Sequence, residues 1–242
     1  MSTDVHRIEI SGIPIEVIRK DIKNLHVGVY PPHGRVRVAA PLRLNDDAVH
    51  LAIATRMGWI RRQQRSFAHQ DRQSKREFVN GESHYVFGKR YRLTINEAGV
   101  RGTVRIRSNR VLELTVRAGL DRGQRERLLN NWYRSLLRER LADLISLWEP
   151  RVGVSVREWG IRKMKTRWGT CNQSARRISF NLELAKKPES CLEFIVVHEL
   201  IHILERHHND AFRSHMDRLL PHWKNVRDQL NRAPLGAERW GY

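Results

Sequence analysis

His198-Glu199-Leu200-Ile201-His202 is the stretch on which the reading of this chain turns. Residues four apart project from one face of a helix, about 6 Å apart along its axis. Two imidazoles placed that way can converge on one divalent ion at Zn–N distances of about 2.0–2.1 Å. Glu199 follows the first of them and is rotated about a quarter turn away. Its carboxylate can therefore reach a water on the ion without ligating the ion itself. The apolar run Phe194 to Val197 leads straight into the motif, as a buried active-site helix would, and no helix breaker interrupts it.

Working outward, six of the twelve histidines lie between residues 198 and 222. A straight helix brings neither His207 nor His208 back to the metal, so the chain must turn after about Arg206. His208, six residues after His202, is then a candidate third ligand; Glu205 and Asp210 are alternatives. His215 and His222 read as surface or supporting histidines. The spacing HExxHxxxxxH is similar to the metzincin pattern, but Glu205 stands where that clan has glycine and no Met-turn follows, so the clan is not assigned. The chemistry that suits this residue set is amide hydrolysis. Zinc with three protein ligands and one open position lowers the pKa of its water towards ~7. Glu199 would take that water's proton and hand it to the leaving amine.

Upstream, the first forty residues read as strands. Ile8 and Ile10 lead to a Ser11-Gly12 turn; Ile13, Ile15 and Val17 then alternate, as do Val27 and Val29, and Val36 and Val38. Pro31-Pro32-His33-Gly34 marks a turn. Asn45 or Asp46 caps one helix over about 47–70, with Val49, Ile53, Met57, Ile60 and Phe67 inward. Strands follow over 83–87, 90–95, 104–107 and 111–116, with Asn109-Arg110 as a hairpin tip. Asp121 caps a long helix whose Leu128, Trp132, Leu136, Leu137, Leu141, Leu144 and Ile145 recur at helical spacing, and Glu149-Pro150 ends it. Strands at 152–158, 161–168 and 177–182 precede the motif helix, which opens at Lys187-Pro188. Two short helices, separated by Pro221, close the chain. Strands and helices are grouped rather than alternating, which is an α+β pattern.

The 242 residues suffice for a core without staples. Forty-five Lys and Arg against 26 Asp and Glu give a net charge of +19, a field that attracts polyanions. Nucleic acid is therefore a candidate partner; eleven arginines lie between 101 and 140, and several of those on the long helix either form its face or flank the helix's apolar stripe and solubilise it. Two cysteines outside any CxxC pair argue against a disulfide framework. MSTDVHRIEI lacks the pattern of a signal peptide, and no apolar run approaches the ~20 residues of a membrane span. A cytoplasmic protein that does not enter membranes is expected; its oligomeric state is open. Arg162 and Arg167 read as surface cations, or as partners of a substrate carboxylate or of Glu199. Trp168-Gly169-Thr170-Cys171 reads as a packing corner or as a strand beside the cleft.

The wording of the later segments is itself informative. His208-Asn209-Asp210-Ala211-Phe212 after an HELxH helix resembles the YgjP-like metallopeptidases, relatives of the SprT-like proteases. Arg167-Trp168-Gly169-Thr170-Cys171 resembles that family's R-W-G-S-C block, and Ile178-Ser179-Phe180-Asn181-Leu182 its I-x-L-N-x-x-L strand. Thr170 replaces the usual Ser, and Phe180 a common Leu. Gly88-Lys89-Arg90-Tyr91 fits the N-terminal layout. The resemblance implies a zinc metallopeptidase acting on protein or peptide substrates, with His198, His202 and His208 as ligands and Glu199 as catalytic base. It also implies a zincin-like catalytic domain, expected over 119–242, with the motif helix against a small sheet, after a β-rich region over 1–118. SprT-like relatives act on proteins bound to DNA, which suits the charge. The alternative is a nucleic-acid-binding protein with a structural metal.

Overall fold

The computed structural model describes residues 5–30, 34–69, 76–164 and 167–232. They fall into two compact units, within Met1–Arg72 and Gln73–Gly236, so that residues 73–118 belong with the second. Six α-helices and three small sheets among the described residues make the chain α+β.

In the first unit, β1 (Val5–Ile10) and β2 (Ile13–Lys20) form a hairpin. Ser11 and Gly12 both take positive φ, 52° and 77°, as the favoured two-residue hairpin turn requires. β3 (His26–Tyr30) and β4 (Arg35–Pro41) complete a sheet of order β1-β2-β4-β3. Pro31 to His33 of the expected turn lie outside the described residues. Alternation sends Ile15 and Val17 of β2, and Val36 and Val38 of β4, to one fully buried face. Helix α1 (Asp46–Ala54) is capped by Asn45, whose Oδ1 accepts the Ala48 N–H at 2.9 Å.

The single helix expected over 47–70 is two, because α2 (Met57–His69) starts afresh. At the break the Thr55 hydroxyl donates to the Ala52 carbonyl, and the Arg56 N–H bonds Ile53 three residues back, tightening the turn. The apolar row survives: Val49, Ile53, Met57 and Ile60 are all buried. The side chain of Phe67 lies outside the described set.

The second unit starts with a sheet of order β5-β6-β8-β7, from β5 (Ser83–Val86), β6 (Lys89–Asn96), β7 (Ala98–Ser108) and β8 (Val111–Arg117). Helix α3 (Arg122–Val152) opens on a reciprocal capping box between Asp121 and Gln124. Its buried row is Leu129, Tyr133, Leu137, Leu141 and Leu144, while Leu128, Trp132 and Leu136 lie alongside, half-buried. The Tyr133 hydroxyl donates to the Tyr85 carbonyl at 2.9 Å and ties the helix to β5. α3 does not stop at Glu149-Pro150 as expected. Buried Trp148 and Val152 flank the proline, and left-handed Gly153 (φ 80°) closes the end by donating to the Glu149 carbonyl. One missing N–H in a last turn so anchored is tolerated.

The third sheet corrects two more expectations. Residues 154–157 are irregular, and β9 is only Glu158–Arg162; of the strand expected over 161–168, the first two residues alone among those described are in the sheet. β10 is Gly169–Asn172 and β11 Arg177–Asn181, in the order β10-β11-β9. Fully buried Asn181 explains the interruption. Its Nδ2 donates to the carbonyls of Met164 (2.9 Å) and Arg167 (2.8 Å), groups that a continuous strand would have paired within the sheet. A 3-10 turn (Leu182–Lys186) leads to α4 (Glu189–Ile201), which has Pro188 at its N-cap. α4 packs on α3 and β10, and α5 (Asp210–Leu219) and α6 (Trp223–Arg232) pack on α4.

Candidate metal centre

α4 carries His198 and Glu199 in its last turn, and His202 is its C-cap. Beyond it the chain tightens: Ile203 N–H bonds the Leu200 carbonyl and Leu204 N–H that of Ile201. Asn209 then caps α5, its Oδ1 accepting the Phe212 N–H at 2.9 Å. This reversal returns His208 to the other two histidines. The His198 Nε2 lies 3.2 Å from His202 Nε2 and 3.1 Å from His208 Nε2. Buried Phe212 forms a common floor, its ring centroid 4.7–5.0 Å from those of all three imidazoles.

These distances fit a metal ion. Ligands on a tetrahedron with bonds of about 2.0–2.1 Å stand about 3.3 Å apart. Three unprotonated nitrogens that close would repel one another without a cation between them. His202 Nδ1–H donates to the Glu205 carbonyl at 2.9 Å, which fixes the tautomer that leaves its Nε2 lone pair free. Burial, reinforced by the neighbouring histidines, lowers His198 to about 3, and burial likewise lowers His208, so both are neutral and ligand-competent near pH 7. The Glu199 carboxyl is almost wholly buried; burial raises it to about 8 against the opposing pull of Arg167. A dication beside it would favour its charged form. His198, His202 and His208 form a group able to hold a metal. The two alternatives are engaged elsewhere: Glu205 Oε2 accepts from Asn209 Nδ2 at 3.1 Å, and Asp210 pairs with Arg213 at 2.6 Å. His222 is exposed, and His215 Nδ1 lies 3.3 Å from an Arg218 nitrogen.

A family described as YgjP-like, metallopeptidase domain, matches residues 24–233. The chain belongs to this YgjP-like family. Similar solved structures include the metallopeptidase zymogen of Pyrococcus abyssi abylysin, at 19% identity over 37% of this chain and 90% of that one, with a TM-score of 0.35. Another is the metallopeptidase zymogen of Methanocaldococcus jannaschii jannalysin, at 16% identity over 37% and 92%, with a TM-score of 0.34. No curated protein matches the chain.

In this YgjP-like chain the histidines and Glu199 open onto a cleft of about 1070 Å³ walled on one side by residues 167–174. Gly169 is more than the packing corner it resembles in sequence. A Cβ there would stand 2.5 Å from Glu199 Oε1 and 2.7 Å from its Cγ, so only glycine leaves room for that carboxylate. Arg167 lines the cleft near Glu199, whereas Arg162 is exposed on β9 and does not line it. Cys171 lines it too, but burial, then Glu199, raises its thiol to about 11, which excludes a thiolate near neutrality. Two supporting residues escaped the sequence reading. Gln173 Nε2 donates to the carbonyls of Ile203 (3.1 Å) and Leu204 (3.2 Å), bracing the turn after His202. Trp223 stacks on Phe194 with centroids 6.2 Å apart, and Phe194 in turn meets the His198 ring. Neither carries a local signal, because both act across the fold. Six of the eleven arginines of 101–140 are engaged: Arg105 and Arg107 by Glu113, Arg122 by Glu126, Arg125 by Glu97, Arg140 by Glu189, and Arg134 by the Ile161 carbonyl.

Proposed function

We propose that this metallopeptidase is a zinc-dependent peptidase with a zincin-like catalytic unit, in which His198, His202 and His208 hold the metal and Glu199 is the general base. The observation that carries it is the convergence of three imidazole nitrogens, at 3.1 and 3.2 Å from the central one, beside a buried carboxylate in an open cleft. Zinc, when bound, supplies a Lewis acid that makes water nucleophilic near neutral pH and draws electron density from a carbonyl. Phe212 and the Glu205 carbonyl hold the imidazoles in place for it. Glu199, seated against Gly169, accepts a proton from the attacking water and returns it to the departing amine. β10 is an edge strand along the cleft, where an extended protein or peptide substrate can add its own backbone to the sheet. A reducing cytoplasm suits Cys171 and Cys191, neither of which forms a disulfide. Among the described helices none is long and apolar enough to cross a membrane.

The test is metal analysis joined to one substitution. Purified protein should hold about one zinc per chain and lose peptide cleavage on chelation; Glu199→Gln should keep the metal and lose cleavage. Protein without metal, cleaving equally well in chelator, ends the proposal.

A second reading, nucleic-acid contact, is favoured by α2. Its Arg61, Arg62 and Arg65 are exposed on one helical face without a carboxylate partner among the described residues, and Trp59 is partly exposed beside them. A protease directed to DNA-bound proteins would combine both readings. Salt-sensitive binding of DNA that survives Glu199→Gln but not replacement of these arginines is the expected result; no binding at low salt removes this reading.

A further inference from the structure

The cleft's charge is one-sided. Arg167, Arg206, Arg213 and Arg227 line it, and Glu199 is the single acidic side chain among its lining residues. That carboxylate is buried against Gly169, so every charge presented to the open cleft is positive. Overall basicity does not account for this. Elsewhere in the same unit arginines sit beside acids, as Arg105 and Arg107 do with Glu113, Arg122 with Glu126, and Arg125 with Glu97. Within the cleft, Arg213 and Arg227 are partly answered by Asp210 and Asp228. Arg206 has no carboxylate partner among the described residues, and the carboxylate that Arg167 acts on is the buried Glu199. Glu205, adjacent to Arg206, is turned instead to Asn209. The two arginines come from different segments: Arg167 lies two residues before β10, and Arg206 in the turn between His202 and His208. A low-dielectric concave wall focuses such a field, so the charges act together on what enters.

We propose that the cleft selects peptides carrying acidic side chains next to the bond that is cut, with Arg167 and Arg206 as the residues that recognise them. This rests on the peptidase reading for the word "cut" but not for the binding preference, and the two separate experimentally. A guanidinium is a fixed, always-charged fork suited to a carboxylate, and one exposed at a cleft wall, as Arg206 is, gains a partner when an Asp or Glu side chain arrives. A lysine in the same position meets only repulsion. The edge of β10 aligns the backbone without reading side chains, which leaves the flanking arginines to supply the discrimination. Nucleic acid also carries negative charge, but the cleft's width is shared with a buried acid-base site and an edge strand, which suit an extended polypeptide.

The test uses zinc-loaded, full-length Glu199→Gln protein and three labelled peptides of one scaffold that differ only in carrying Glu, Gln or Lys on both sides of the central bond. Fluorescence anisotropy should rank them Glu, Gln, Lys, with about a tenfold step between Glu and Gln at low salt that shrinks at high salt. Arg206→Glu, and separately Arg206→Gln, in the same background should erase most of that step without lowering Tm, since the side chain is exposed. Equal binding of the three peptides, no binding of any, or tighter binding of the Lys peptide overturns the proposal. So does displacement of the Glu peptide by a single-stranded oligonucleotide when polyglutamate fails to displace it. Cleavage by the unsubstituted protein is read separately. Preference without cleavage breaks the peptidase reading alone; cleavage without preference breaks this inference alone.

Discussion

The two compact units differ in what they bury. Within Met1–Arg72 the core residues are all apolar, from Ile15 and Val17 through Val36 and Val38 to Ile53 and Ile60. Among the described residues, the buried polar and charged ones all lie in Gln73–Gly236: His84, Glu113, Ser179, Asn181, Glu183, Lys187 and Glu199. Burying a polar group without full compensation costs stability, so a fold that does so repeatedly uses those groups for something other than packing. Asn181 uses its amide to bond the carbonyls of Met164 and Arg167, and Glu199 faces a cleft. The described core of the first unit is apolar, whereas the second unit buries polar groups, one of them at the candidate chemistry.

This contrast can be broken in several ways. The largest effect should come from Glu199→Gln, which removes the proton acceptor while keeping its shape. Peptide cleavage should fall by about 10²–10⁴-fold, while Tm stays at or above the parent value because a strained buried acid has become a neutral amide. A substantial drop in Tm would make Glu199 a structural residue. Next, Ile53→Ala should cost about 2–5 kcal/mol by opening a cavity in an apolar core. Denaturant unfolding should show this loss with cleavage at low temperature unchanged, and a parallel loss of cleavage would show that the first unit supports the site.

A smaller effect is expected at Gly169→Ala. The added methyl must displace the Glu199 carboxylate, at about 1–3 kcal/mol of strain, and cleavage should fall while zinc content holds. Unchanged cleavage would mean that the carboxylate has room to spare. The most gradual effect, negligible at neutral pH, is the pH dependence set by His84, which burial, then Arg76 and Lys186, lowers to about 3. The unfolded chain takes up a proton at this residue near pH 6.5 and the folded one only near pH 3. Stability should therefore decline as pH falls through that window, by up to about 1.4 kcal/mol per unit, and be insensitive to this residue above it. His84→Asn should flatten the slope relative to the parent, and identical slopes would remove His84 as its source.

How far the chain could be read in advance follows the range of the interactions involved. The helix starts were legible because Asn45 and Asp121 bond amides three residues ahead. The strand faces were legible because alternation is a property of adjacent residues. The break between α1 and α2 was not, since the apolar row from Val49 to Ile60 runs through it and only the local bonding at Thr55 and Arg56 betrays it. The survival of α3 past Pro150 was hidden because it depends on the buried surroundings of Trp148 and Val152.

The residues of the candidate site divide in the same way. The pairing of His198 with His202 and the neighbouring position of Glu199 were determined by sequence alone, because helical geometry relates residues four apart whatever surrounds them. Tertiary structure decided the rest. The turn that returns His208, the gap at Gly169 that admits Glu199, and the bond from Asn181 to the Arg167 carbonyl each join segments whose closeness depends on the packed core. A spacing rule carries no information across such distances; only the cooperative packing of α4 against β10 and α5 brings those atoms together.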